Sequence, residues 1–415
     1  MRILLWHGYL LSGTGSNIYT RALAREWSRA GHDVVVVAQE PHPEQLDLGG
    51  AQVVRLQLPD GLLPVFVLDR YEGLNPRLLT EWTTEERQRY VDANAAALRE
   101  LLPADLVFAN HALMGGPVAA AAGVPHLVKV HGSELEYAIR GRSDLAAWAR
   151  ESLEGAEAVI VGSEHIRQVL HDVVGELDNV HEVPPGVDVD TFRPEPREQA
   201  LGALLEECRR DPQNPGNRAE RLPYEGNADR LTEFFIQPGP VVVYVGKLLR
   251  NKGVHVLFEA LRGLDARGLI VGFGDYREEL EAIAPANALF TGALEHRHLV
   301  HLLPLCDVAV VPSIFPEAFG MVAAEAAAAG VPPLVARHSG LAEVAAGLEE
   351  RYPPAHRHLA GFESGNGGEL RAKLDELLGL PEAERRKLGR LARETAVERW
   401  SWKSVAERLL AFAAE

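Results

Sequence analysis

The stretch Val241-Val242-Val243-Tyr244-Val245-Gly246-Lys247-Leu248-Leu249-Arg250-Asn251-Lys252-Gly253 decides the fold. An unbroken apolar run rich in valine reads as a strand buried on both faces. The glycines after it read as a turn leading into a helix. Strands of this kind belong to parallel sheets covered by helices on both sides. The pattern recurs along the chain. Before residue 190 it appears at Ile3–Trp6, Val34–Ala38, Leu106–Ala109, Leu127–Val130, Ala158–Val161 and Val180–Val183. After residue 236 it restarts at Val241–Val245, Gly268–Val271, Ala288–Thr291, Val308–Val311 and Leu334–Ala336. Two successive series of this kind predict an α/β protein of two doubly wound, Rossmann-like domains facing each other across a cleft. A chain of 415 residues is also long for one core.

The expected boundaries are 1–190 for the first domain and 236–395 for the second, with a closing amphipathic helix in 396–415 around Trp400–Leu410. Between the halves, 194–235 is charged and contains Asp211-Pro212-Gln213-Asn214-Pro215-Gly216-Asn217. That composition predicts a solvated insertion or long loop. The competing reading is a lid that selects a ligand.

The chemistry gathers at strand ends. Lys247 and Lys252 flank the glycine turn, and two ammonium groups beside free backbone N–H groups at a helix start suit a diphosphate. The stretch Pro312-Ser313-Ile314-Phe315-Pro316-Glu317-Ala318-Phe319-Gly320-Met321-Val322-Ala323-Ala324-Glu325 carries two glutamates, the second within a run of alanines. An ionised carboxylate buried there is costly unless something pairs with it. The vicinal hydroxyls of a ribose would match the oxygens of Glu325. Val128-Lys129-Val130-His131-Gly132-Ser133-Glu134 is a strand that ends in a histidine, and His111 ends the strand before it. The first strand leads to Gly13-Thr14-Gly15-Ser16-Asn17 and then a helix, a turn able to present N–H groups to an anion.

The net charge of −17 argues against a nucleic-acid surface. Cys208 and Cys306 have no metal or redox spacing. No apolar stretch reaches membrane-spanning length, and nothing resembles a signal peptide. The expected location is cytoplasmic, with contact at a membrane surface left open.

The glycine–lysine turn, Pro312-Ser313, the Glu317/Glu325 pair, Gly330-Val331-Pro332 and Ser339-Gly340-Leu341-Ala342-Glu343 together resemble the retaining glycosyltransferases of the GT-B fold. They look most like the family 4, group 1 class, in collinear order over nearly the whole chain. The resemblance implies transfer of a sugar from a nucleoside diphosphate sugar to an acceptor hydroxyl, on a sugar, lipid or small molecule. UDP is the first expectation for the donor, with GDP and ADP behind it. Neither a metal nor a cofactor beyond that co-substrate is implied.

It also implies roles. Lys247, Lys252 and Gly246 would meet the diphosphate, and Glu317 the hydroxyls of the donor sugar. Glu325 would hold the ribose. Backbone N–H groups of Phe319, Gly320, Met321 and Val322 would lie near sugar or diphosphate. Leu294 would pass the nucleobase, Gly15 would approach the donor phosphates, and His131 would stand at the reaction centre. His111 would face the acceptor. The last helix would cross back to the first domain.

Three positions depart from the family pattern. Thr14 stands where a glycine is usual, Lys247 where arginine is more frequent, and Pro185 where asparagine is frequent. Other functions remain open on the residues alone. Gly13-x-Gly15 with Glu40 is an incomplete nicotinamide fingerprint, with Ile18 in place of the third glycine. A sugar-nucleotide epimerase would share the architecture, and a silent binding subunit would keep the fold without the chemistry.

Overall fold

The computed structural model describes residues 1–12, 15–66, 74–214 and 221–413. The chain divides into two compact units. One comprises Met1–Gly186 together with the chain from Trp402 onward, and the other comprises Val187–Ser401.

The first unit is built on β1 (Arg2–Trp6), β2 (Asp33–Val37), β3 (Gln52–Val54), β4 (Leu62–Val65), β5 (Asn75–Leu78), β6 (Leu106–Asn110), β7 (His126–Lys129), β8 (Ala158–Val161) and β9 (Val180–Glu182). All but β4 and β5 form one parallel sheet in the order β3-β2-β1-β6-β7-β8-β9. Successive side chains leave a strand on opposite faces, and both faces are buried. Leu4, Trp6, Val35, Val107 and Val128 enter one apolar layer. Ile3, Leu5, Val34, Phe108 and Leu127 enter the other. Burial on both sides is why these strands read as continuous apolar runs. β4 and β5 pair only with each other.

The second unit contains β10 (Val241–Val245), β11 (Arg267–Val271), β12 (Ala288–Gly292), β13 (Val308–Val311), β14 (Pro333–Ala336) and β15 (Gly361–Phe362). They form a parallel sheet in the order β12-β11-β10-β13-β14-β15. In each sheet the order reverses at one place, between β1 and β6 and between β10 and β13.

Two expectations need correction. The segment 194–235 is not a loop excursion: it carries the helices Arg197–Arg209 and Asn227–Ile236. Ala200, Leu204 and Cys208 recur every fourth residue and bury one stripe in the second unit's core. Leu231, Phe234 and Phe235 join them. The charges that made the segment look solvated lie on the other faces. The second difference lies at the chain's end. Helix Glu382–Arg399 belongs to the second unit, and the chain passes to the first only at Trp402. Helix Trp402–Ala411 then buries Trp402, Val405, Ala406 and Leu409 on the first unit's second face. There Trp27 Nε1 donates to the Ala406 carbonyl at 3.1 Å.

Leu204 is fully buried. Leu204→Ala should cost about 2–5 kcal/mol in urea unfolding, the range for emptying a core site. A solvated insertion would leave the unfolding midpoint unchanged.

Candidate active site

In doubly wound sheets, ligands bind beyond the carboxyl ends of the strands where the order reverses. In the second unit the loops after β10 and β13 flank that point. The loop after β10 carries Gly246, Lys247 and Lys252. Gly246 N donates to the Val271 carbonyl at 3.0 Å, and Leu248 N to that of Phe273 at 2.6 Å. Tyr244 Oη donates to the Lys247 carbonyl at 2.8 Å. A single 3₁₀ turn, Arg250–Lys252, leads to Gly253 at φ 71°, which caps helix Val254–Leu261. A Cβ at Gly253 would lie 1.9 Å from the Pro312 carbonyl oxygen. Only glycine permits that approach and that backbone angle.

The approach draws the two loops together. Ile314 N donates to the Asn251 carbonyl at 2.9 Å. Lys252 Nζ meets Glu317 Oε1 at 2.5 Å, both side chains part-buried. Glu317 is fixed from behind. Its N–H donates to Ser339 Oγ at 2.8 Å, and its carbonyl accepts from Gly340 N at 3.0 Å. Ser339 is one of few non-glycine residues at positive φ among those described, at 47°. Its hydroxyl donates to His338 Nδ1 at 3.0 Å, and His338 Nε2 donates to the Ser313 carbonyl at 2.7 Å.

Glu325 lies on helix Met321–Ala328, which Gly320 opens at φ 122°. It is buried among alanines, and its partner is His296, with Nε2 3.2 Å from Oε1. Thus the structure joins Lys252 to Glu317 and gives Glu325 a histidine that sequence reasoning missed. Lys247 stays exposed. The Phe319 side chain is buried against Trp400, rings 5.8 Å apart, so only its backbone is available to a ligand. Met321 and Val322 are half-buried in the first turn of the helix. Leu294 packs partly on the core just beyond β12. Beside it, Leu222–Tyr224 run along the same edge, with Tyr224 N donating to the Thr291 carbonyl at 2.8 Å.

The first unit has its own reversal point, and three imidazoles gather there. His7 follows β1, His111 follows β6 and His131 follows β7. His111 and His131 have ring centroids 4.8 Å apart, and His7 lies 6.0 Å from His111. Tyr9 and Phe66 pack on His111, each at 5.2 Å. His111 takes φ 73° and opens a π-helical turn to Gly115. Any Cβ at Gly115 would strike the Asn110 carbonyl at 2.3 Å. Glu134 is wholly buried. Its Oε1 accepts from His131 N at 3.0 Å, and its Oε2 faces His111 Nδ1 at 3.3 Å. Burial opposes its charge, but His111 and these hydrogen bonds hold its carboxyl below the usual carboxylate range. Burial, then His111, pushes His7 down to about 3.

Sequence reasoning missed His7, Asn110 and Glu134 as members of this cluster. The usable signal was their place at the ends of adjacent strands. Gly15 caps helix Ser16–Arg29 at φ 61°. Gly13 and Thr14, the other part of the expected anion turn, lie outside the described residues. Glu40, weighed for a nicotinamide ribose, is occupied instead. Its Oε2 accepts from Leu11 N, Ser12 N and Ser12 Oγ, each at 3.0 Å.

Among the described residues, one group could offer three metal ligands within 4.8 Å: Cys208, Asp211 and His298. One Asp211 oxygen and both His298 nitrogens are already engaged. Asp211 Oδ1 receives Arg297 Nη2 at 2.5 Å and His298 Nε2 at 3.0 Å. His298 Nδ1 accepts from Glu295 N at 3.2 Å. Burial pushes the Cys208 thiol up to about 12. The group clamps the helix Arg197–Arg209 to the helix His296–Leu302.

Residues 230–395 match the family described as glycosyl transferases group 1, and 14–186 match the glycosyl transferase 4-like domain. The chain belongs to the group 1 glycosyltransferases. It is an enzyme of the hexosyltransferase type with the GT-B fold. A D-inositol 3-phosphate glycosyltransferase of Xylanimonas cellulosilytica is 32% identical, over 46% of this chain and 44% of its own length. An MMP alpha-(1->4)-mannosyltransferase of Mycolicibacterium hassiacum is 26% identical over 96% of this chain and 93% of its own. Among solved structures, HepE of Anabaena in complex with UDP shares the fold. Its TM-score is 0.67 at 17% identity, with 100% of each chain covered. Among the described residues, no helix of this enzyme is long and apolar enough to cross a membrane.

Lys129, on the strand leading to His131, gives a pH prediction. Its buried ammonium donates to the Val183 carbonyl at 3.3 Å and lies 5.1 Å from the Tyr19 ring centre. Burial pushes it down to about 7, against about 10.4 for a free lysine. Between those values the unfolded chain keeps a proton that the folded chain has released. This group's contribution to stability therefore rises with pH through that window, and the full penalty stands at lower pH. Lys129→Met should remove the slope and raise the urea midpoint at neutral pH. A variant with the wild-type slope would contradict the assignment.

Proposed function

We propose that this enzyme moves a hexose from a nucleoside diphosphate sugar to an acceptor hydroxyl, with retention at the anomeric carbon and without a metal. The observation that carries the reading is the grouping of Lys247, Lys252, Glu317 and Glu325 around one reversal point of the second unit's sheet. Such a reaction needs negative charge stabilised on the departing diphosphate, and fixed cations in a dry site do this best. Lys247 and Lys252 take that task, with Gly246 allowing close approach. Their two ammonium charges support metal independence. Glu317 accepts hydrogen bonds from the donor sugar. Glu325 takes the ribose through Oε2, the oxygen that His296 leaves open. The backbone of Phe319–Val322 and the neighbourhood of Leu294 complete the donor site.

The Lys252–Glu317 contact fits this reading as a ligand-free arrangement. A part-exposed ion pair is worth about 0–1 kcal/mol, whereas a micromolar ligand binds with about 8 kcal/mol. A diphosphate can therefore take the lysine from the glutamate at little cost.

In the retaining step the acceptor oxygen attacks the face from which the phosphate departs. The bond from the anomeric carbon to phosphate breaks, a bond to the acceptor oxygen forms, and the phosphate takes the acceptor's proton. The first unit supplies the acceptor side through His131 and His111. UDP is the proposed donor nucleotide, supported by the fold shared with a UDP complex. The relative matched over 96% of this chain is a mannosyltransferase, which supports a hexose. The proposed location is the cytoplasm, with contact at a membrane surface if the acceptor is a lipid.

A thermal-shift panel of UDP, GDP, ADP and NAD, each with and without Mg²⁺, tests the reading. One nucleoside diphosphate should stabilise the enzyme by about 2.7 kcal/mol at a hundredfold excess over its dissociation constant. The shift should not need Mg²⁺ and should vanish in Glu325→Ala. A shift with NAD alone would favour an oxidoreductase instead.

A further inference from the structure

His131 is the residue that the proposed function places at the reaction centre. Its chemistry depends on which ring nitrogen carries the proton. The structure answers this through a neighbour to which the proposed function gives no part. Asn110, the last residue of β6, is fully buried. Its Oδ1 lies 2.7 Å from His131 Nε2. Its Nδ2 faces the Trp6 carbonyl at 3.2 Å and Thr20 Oγ1 at 3.3 Å.

The orientation of that amide is forced. A carbonyl only accepts, so the atom facing Trp6 must be the NH₂ group. Thr20 gives its own hydroxyl proton to the Ser16 carbonyl at 2.8 Å, which leaves its oxygen free to accept from the same NH₂. The atom facing His131 is therefore the amide oxygen. An oxygen there requires Nε2 to carry hydrogen, so a neutral ring holds its lone pair at Nδ1. The ring is half-buried, and Nδ1 makes no hydrogen bond to a described residue.

We propose that Asn110 is the positioning residue for His131: it fixes the Nε2–H tautomer, so that Nδ1 accepts a hydrogen bond from a hydroxyl of a bound sugar. The ligand class is a neutral hydroxyl, because a lone pair at Nδ1 repels phosphate and carboxylate oxygens. The inference rests on the proposed function only for the identity of the sugar.

The charge state follows from the groups around the ring. His111 faces it from the end of β6, His7 from the end of β1 and Lys129 from β7. Glu134 lies in the turn that follows, and Tyr19 packs edge-on at 5.3 Å from helix Ser16–Arg29. Burial, then His111, Lys129 and His7, hold the imidazole well below its usual range. Glu134, the carboxylate in the cluster, is spent on the His131 backbone N–H and on the His111 ring. Among the described residues, the hydrogen-bond partner of Nε2 is Asn110. That partner is a neutral amide, which fixes the tautomer and makes the ring less basic than a carboxylate there would.

The pattern repeats beside it. His7 Nε2 faces Asn17 Oδ1 at 3.0 Å, and Asn17 Nδ2 donates to the Ser12 carbonyl at 2.5 Å. By the same argument His7 also carries its proton on Nε2. Two Asn–His pairs therefore stand at the ends of neighbouring strands, each holding a neutral ring in one tautomer.

The test begins with ¹⁵N NMR of the imidazoles in the full-length wild-type protein, from about pH 6 to 8. His131 should be neutral throughout with hydrogen on Nε2. An Nδ1–H tautomer or an imidazolium would overturn the proposal. Adding UDP-glucose or free glucose should move the Nδ1 signal, the first marking a donor hydroxyl and the second an acceptor hydroxyl, while UDP alone should not. A response to UDP alone would assign the nitrogen to phosphate and sink the idea.

The second arm is Asn110→Asp, which puts a carboxylate opposite Nε2 and raises the imidazole pKa. Transfer by the variant should fall about tenfold for each pH unit below that raised value, because the imidazolium has no lone pair at Nδ1. It should recover at higher pH, while the wild type shows no such step. A variant that follows the wild-type profile at every pH would contradict the role. The wild-type spectrum stands even if the variant does not fold. Absence of transferase activity would remove the proposed function and leave the tautomer measurement intact.

Discussion

The site in the second unit depends on one close approach. The Pro312 carbonyl occupies the space where residue 253 would carry a Cβ, and Gly253 alone lets the chain pass there. That contact ties the loop after β10 to the loop after β13. Without it, Lys252 and Glu317 would sit on separate loops, each free to move, and an ordered ion pair between them would be entropically costly. The approach also spans the reversal point of the sheet, where the connections on either side diverge and leave room for a ligand. Gly272 and Gly274 extend the same principle. A Cβ on either would strike the backbone of Gly246 or Leu248. The loop bearing the lysines is thus held by backbone contacts on two sides while Lys247 itself stays in solvent.

The first unit uses a different economy. It buries imidazoles, an amide and a carboxylate at the ends of β1, β6 and β7. Burying such groups is unfavourable unless their hydrogen-bonding capacity is met. Each histidine of the cluster commits one ring N–H to a defined oxygen: Asn17 for His7, Glu134 for His111 and Asn110 for His131. Those commitments also settle which nitrogen remains for chemistry. The positive φ of His111 and the tight packing of Gly115 belong to the same arrangement. Strained backbone of this kind is kept where the surroundings hold it in place.

Much of this was legible in the sequence, for physical reasons. Strands buried on both faces need no polar alternation, so β1, β10 and β13 stand out as plain apolar runs. The short β3, β4, β5 and β15 do not, because a few residues carry no periodicity. The 194–235 segment was misread because its charges outnumber the narrow stripe of Ala200, Leu204 and Cys208. At the candidate site, the residues that form family motifs were visible as motifs. Their partners were not. His296 reaches Glu325 from another helix, Ser339 reaches Glu317 from the next strand's loop, and Asn110 reaches His131 from the neighbouring strand. These contacts come from the order of strands in the sheet, which no local pattern states. The Phe319 ring is core, packed on Trp400, which leaves to a ligand the backbone N–H that the sequence reading assigned.

The central claim of the account is that Lys252 serves a diphosphate and is held by Glu317 until one arrives. Calorimetric titration of UDP into the wild type, Lys252→Met and Glu317→Gln tests it most directly. The account predicts opposite signs. Lys252→Met should weaken UDP binding by about tenfold or more, since a charge-assisted contact is worth roughly 1.5–3 kcal/mol. Glu317→Gln should bind UDP at least as tightly as the wild type, because the ammonium no longer has to leave a carboxylate. Unchanged affinity in Lys252→Met, or a loss in Glu317→Gln equal to that in Lys252→Met, would contradict it.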